Sequence, residues 1–194
     1  MPQTYRERLI NAVVYFAQNT QYCGKIKLFK LLYLLDFEHF RQTGKSVTGF
    51  DYQAWKFGPV PIDLMEEWED FGPDLAQAVR VVPEQVYDFK RHTVKVNDGV
   101  MFNADYFSPR QLRIMKEVAE KHRETYSPEL IDVTHEQNGA WEKVWQAGAG
   151  AHRRIPYELA VKDDMPERAT VLRIAEEQRM YRAALEMSRN EAAQ

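Results

Sequence analysis

The chain has 194 residues, a length that suits one domain with an extension better than two full domains. Its 26 Lys and Arg against 29 Asp and Glu leave a net charge of -3, which supplies no global pull towards nucleic acid or an anionic membrane. One cysteine, Cys23, excludes an internal disulfide and any cysteine-rich zinc site, and no apolar run approaches the roughly 20 residues of a membrane span. The N-terminus MPQTYRERL lacks a signal-peptide apolar core, so the expected setting is the cytoplasm.

Residues from Thr4 to about Asn19 read as a first helix, with Thr4 as cap, Glu7 three residues on, and Leu9, Ala12, Val13, Phe16 and Ala17 at helical spacing. A second helix runs from Lys25 to Thr43, where Gly44 can close it. At about 100° per residue, Leu28, Leu31, Leu32, Leu35 and His39 form one stripe. Ile26, Phe29, Tyr33, Phe37 and Phe40 form a second beside it, leaving Lys27, Lys30, Glu38 and Arg41 for water. A helix apolar over most of its circumference is covered on several sides, so this is the expected central helix. Asp36 falls on its covered arc and therefore requires hydrogen-bonding or charged partners.

The following GFDYQAWKFGPVP reads as an extended Gly/Pro arm anchored by Phe50, Tyr52, Trp55 and Phe57, feeding a short helix near Pro61. Phe71-Gly72-Pro73 breaks that helix. From Gln85 to Asn103 partial alternation predicts a small antiparallel hairpin, turning at Asn97-Asp98-Gly99 between Val94/Val96 and Val100/Phe102. Ser108-Pro109 and Ser127-Pro128 each open a helix. An Asn138-Gly139 turn then leads to a short helix carrying Trp141 and Trp145. Pro166 to Gln194 predicts an amphipathic helix whose one apolar stripe includes Val171, Ile174, Tyr181 and Leu185, packing on the domain or on a partner. The fold class is α+β, predominantly helical: a central buried helix, an extended arm and a small hairpin over 1–155, plus a helical extension over 156–194.

Catalytic and metal constellations are weak. Asp36 and His39 can share a helix face, but no HExxH, dense His/Asp cluster, phosphate loop or GxSxG accompanies them. They are read as satisfied polar members of the core; no metal, cofactor or catalytic residue is expected, and the chain is expected not to be an enzyme. The basic stripe Lys25, Lys27 and Lys30, joined by Arg41 and Lys45, and the group His152-Arg153-Arg154 are too small to favour nucleic acid. Four Trp, ten Tyr and ten Phe leave aromatics on the arm and the short C-terminal helices as interface candidates.

Several separated pieces, in order, resemble the Panacea domain, the family of SocA-like antitoxins and phage-associated proteins. They are Lys30-Leu31-Leu32-Tyr33, Asp36 and His39, Thr48-Gly49 leading to Tyr52, Gly58-Pro59-Val60, and Thr134-His135 followed by Trp141. The similarity covers about Thr4 to Trp145. It implies a mostly helical α+β fold and an antitoxin that neutralises a toxin from an adjacent gene by direct binding. Delivery of the toxin to a host protease, or transcriptional regulation, is the alternative. Lys30, Tyr33, Asp36, Tyr52 and Gly58 to Val60 are expected to hold the helix and arm in place, with toxin contact the alternative for some; Trp55, His135 and Trp141 are further candidates.

Overall fold

The computed structural model describes residues 3–86, 89–137 and 139–192. Helix α2 (Lys25–Thr43) is covered along most of its surface, with 12 of its 19 residues buried. Leu28, Leu31, Leu32 and Leu35 are each shut off from solvent, and each contributes about 1.5–3 kcal/mol by that burial. Helix α1 (Gln3–Asn19) lays Leu9, Ala12, Val13 and Phe16 into the same core. Thr4 lies inside α1 and is not its cap. Gly44 takes the left-handed conformation at φ 70° and donates its N–H to Phe40 O, closing α2 as its sequence predicts.

The polar stripe of α2 departs from expectation. Lys27 and Lys30 are buried, not solvated, whereas Ile26, expected under cover, is 41% exposed. Lys27 donates to Gln21 O at 2.7 Å, Thr125 O at 2.8 Å and Arg123 O at 3.1 Å. Those last two carbonyls lie in the loop after α5 (Pro109–Lys121), so Lys27 ties that loop and the turn at Gln21 to α2.

The expected arm is itself a tight hairpin, β1 (Tyr52–Trp55) against β2 (Gly58–Pro61), turning at Lys56-Phe57. Its prolines are tolerated because of register. Tyr52 and Ala54 direct their backbone groups away from β2 to residues 152–155, so their partners Pro61 and Pro59 need no N–H. Helix α3 (Ile62–Glu66) and helix α4 (Pro73–Ala78) lead to the second hairpin, β3 (Val79–Val86) and β4 (Phe89–Val96). Asn97-Asp98-Gly99 is therefore at the exit of this hairpin and not at its tip. The valines preceding Gln85 supply the long partner strand, and Asn97 instead donates to Ala76 O and Gln77 O. Tyr87, Asp88 and Asn138, which the sequence reading placed in turns and strands, lie outside the described residues.

Ser108 and Gln111 form a reciprocal capping box at the start of α5. Helix α6 (Ser127–Thr134) has Tyr126 at its N-cap, so Ser127 is already helical. Helix α7 (Ala140–Trp145) follows, and residues 152–161 run back along β1 and α2. In helix α8 (Arg168–Ala192), Val171 and Ala175 pack with Phe40 and Val161, and Ile174 is half-buried. Tyr181, expected on the packed stripe, is 60% exposed, and the side chain of Leu185 lies outside those described. Among the described residues no helix is long and apolar enough to cross a membrane.

Candidate functional site

Two polar centres sit on α2, one turn and a half apart, and the hairpin β1–β2 touches both. The first is built on Asp36. Its carboxylate, fully buried, accepts from Val47 N at 2.7 Å, Thr48 N at 2.8 Å, the Thr48 hydroxyl and Tyr52 Oη at 2.8 Å. Burial pushes this carboxyl above its ordinary range, and the four donors pull it back by favouring the ionised form. Tyr157 closes the cluster: its hydroxyl donates to Phe50 O at 2.7 Å, and its ring packs on Phe37 and Phe40. His39 does not join this set, because its Nδ1 faces Lys45 O at 2.6 Å. The group knots the loop after α2, the hairpin and residues 155–157 onto one helix. Tyr157 escaped the sequence reading; the only signal was Ile155-Pro156 before it.

The second centre is built on Lys30. Its ammonium reaches Pro59 O at 2.9 Å and has no other acceptor among the described residues. Burial pushes it down to about 7. Gly58 above it adopts φ +98°, and a Cβ there would stand 2.8 Å from Lys30 Nζ and 2.9 Å from Thr134 Oγ1. Glycine is required both for the turn and for that approach. His135 stacks on Trp141 with ring centroids 3.6 Å apart and planes parallel to 1°. Its Nε2 is buried without a partner among the described residues, and burial together with the Lys30 charge lowers its basicity. Trp141 Nε1 donates to Trp55 O at 3.1 Å, fastening α7 to β1, and buried Tyr33 packs on Phe37 at 4.1 Å. Of the motif residues, Lys30, Trp55, Gly58, Pro59, Val60, His135 and Trp141 thus gather around the turn of the hairpin, while Asp36 and Tyr52 gather around the knot.

Beside the Lys30 centre lies an open groove of about 400 Å³. Ile26, Phe29 and Lys30 of α2 form one wall, Phe57 and Val60 of the hairpin the other, and Met65 of α3 one end. Phe57 is 59% exposed at its edge. A smaller hollow of about 240 Å³ between Glu136, Lys143, Lys162 and Asp163 carries charges of both signs.

Other candidates are dispersed. With Lys27 and Lys30 buried and Arg41 paired to Glu38 at 2.6 Å, the basic stripe does not exist as a surface. Arg154 pairs with Asp51 at 2.7 Å. The Cys23 thiol is buried and pushed up to about 11, far from a thiolate at neutral pH. Among the described residues no group of three His, Cys, Asp or Glu converges as a metal site.

Comparison with known proteins adds one match. The family model described as antitoxin SocA-like, Panacea domain, matches residues 28–142, from the first turn of α2 into α7. Neither the curated proteins nor the solved structures gave a match.

Proposed function

This chain belongs to the antitoxin SocA-like, Panacea-domain family, and on that premise we propose that it neutralises a cognate protein toxin by binding it directly, without catalysis. The toxin is expected from an adjacent gene. The observation that carries the reading is the groove between α2 and the β1–β2 hairpin, which leaves Phe57 and Ile26 uncovered on an otherwise buried constellation of family-motif residues. Aromatic and aliphatic anchors set in a rigid frame are what concentrate binding energy in protein interfaces. The Asp36 knot and the Lys30–Pro59 bond supply the frame by fixing the hairpin to α2 from both ends. Specific complexes of standard size bury roughly 1,600 Å², and the quality of such anchors decides whether one of that size attains the nanomolar affinity that sequestration of a scarce toxin requires.

The test is co-expression. Inducing the neighbouring gene alone should arrest growth, inducing it with this chain should restore growth, and the two proteins should co-purify in fixed proportion. Phe57→Asp should abolish both rescue and co-purification while leaving the circular dichroism spectrum unchanged, because the ring is solvent-facing. Rescue by a chain that never co-purifies with the toxin would overturn the reading.

A further inference from the structure

The groove contains an unbalanced charge. Lys25, Lys30, Lys56 and His152 line it, and no carboxylate does. Lys25 is partly answered by Glu69 at 3.5 Å, whereas Lys30 and Lys56 have no anionic partner among the described residues.

Lys27 and Lys30 lie one turn apart on the same helix. Both are essentially inaccessible, at 0% and 2% exposure. An ammonium has three protons to donate. Lys27 has three carbonyl acceptors, so the fold is able to satisfy a buried lysine completely when its task is structural. Lys30 has one, and it is Lys30 that lines the groove. A buried amine short of acceptors next to an opening is poised for an incoming carboxylate, which supplies the acceptor and favours its charged form.

We propose that the groove receives a segment of the toxin that couples a bulky apolar side chain, seated between Ile26, Phe57 and Met65, with a carboxylate that accepts from Lys30 and is flanked by Lys56. This rests on the direct-binding reading and specifies the partner's chemistry. The carboxylate gives Lys30 the missing acceptor in a low-dielectric setting, where a charged pair discriminates strongly between partners. The apolar side chain covers Phe57 and Ile26. A lysine-rich apolar groove rejects basic segments for the same reason, which makes the site selective and not merely adhesive.

The experiment uses the full chain and the product of the neighbouring gene. Each Asp and Glu of that product is changed singly to its amide, and Kd is measured against wild-type chain, Lys30→Met, Lys56→Met and, as a remote control, Lys116→Met. The expected result is one carboxylate whose loss weakens binding to the wild type at least tenfold but weakens binding to Lys30→Met less than threefold. Lys116→Met should behave as wild type, and thermal melting should verify that Lys30→Met is folded. Phe57→Asp should weaken binding at least a hundredfold. A complex that forms and shows no carboxylate coupled to Lys30, including one coupled to Lys56 alone, would overturn this inference and leave direct binding standing. Absence of any complex would overturn both.

Discussion

Replacing Asp36 by alanine strips the acceptor from four buried donors at once. The two hydroxyls, on Thr48 and Tyr52, can rotate towards other oxygens, but the N–H groups of Val47 and Thr48 are fixed by the backbone and have nothing to replace the carboxylate. Each stranded amide costs about 1–3 kcal/mol, so the pair costs about 4 kcal/mol. For a chain of this length about 2–4 °C of melting temperature accompanies each kcal/mol, giving a fall of about 8–16 °C. Asp36→Asn keeps one oxygen for the amides and turns an NH2 towards hydroxyls able to accept, so its cost is smaller, about 1–2 kcal/mol. Urea denaturation at 25 °C followed by circular dichroism measures both. An alanine variant within about 0.5 kcal/mol of wild type, a change typical of ordinary surface positions, would refute the knot. So would an asparagine variant no more stable than alanine.

Three further outcomes follow from the buried polar groups and close approaches. Lys27→Met leaves the carbonyls of Gln21 and Thr125 without the lysine donor, while Arg123 O keeps the Gln21 N–H at 2.8 Å, and should cost about 2–4 kcal/mol in the same denaturation assay. Gly44→Ala places a Cβ 2.5 Å from Val171 O in a left-handed residue, so α8 should lift from α2; hydrogen exchange should rise in 168–178 while the Asp36 region keeps its protection. His122 is buried and pushed down to about 4, against an ordinary value near 6.5 in the unfolded chain. Between those values the unfolded state binds a proton that the native state refuses, so its contribution is intact above about pH 6.5 and is lost as pH falls towards 4. Asp36, pushed upwards, acts in the opposite sense, so the comparison is between variants: His122→Gln should lose less stability than wild type between pH 7.5 and 5.0.

The sequence made the central helix and the need of Asp36 for partners legible, because periodicity and the cost of burying a lone carboxylate are local facts. Which groups would answer Asp36 was not local: Thr48 and Tyr52 lie on the next segment, and Tyr157 is 121 residues away. The lysines of α2 were misplaced for the same reason. A helical wheel assigns charged residues to water, and it has no knowledge of carbonyls at positions 123 and 125 that convert Lys27 into a clasp on the loop after α5. Prolines at 59 and 61 pointed correctly to extended backbone, but the fold back into β1–β2 depends on residues 152–155 taking up the other edge of β1. The Lys30 centre was visible only as a motif, and its unfilled acceptor positions emerge once the hairpin is in place.

Direct sequestration is tested most sharply by following the toxin itself in rescued cells. Toxin abundance and its partner are measured together, by quantitative immunoblotting across a size-exclusion profile of the lysate, after co-induction with wild-type chain. Undiminished toxin, co-eluting with this chain while growth is restored, is the predicted result. Restored growth with toxin depleted, or with toxin abundant and free of this chain, would contradict it.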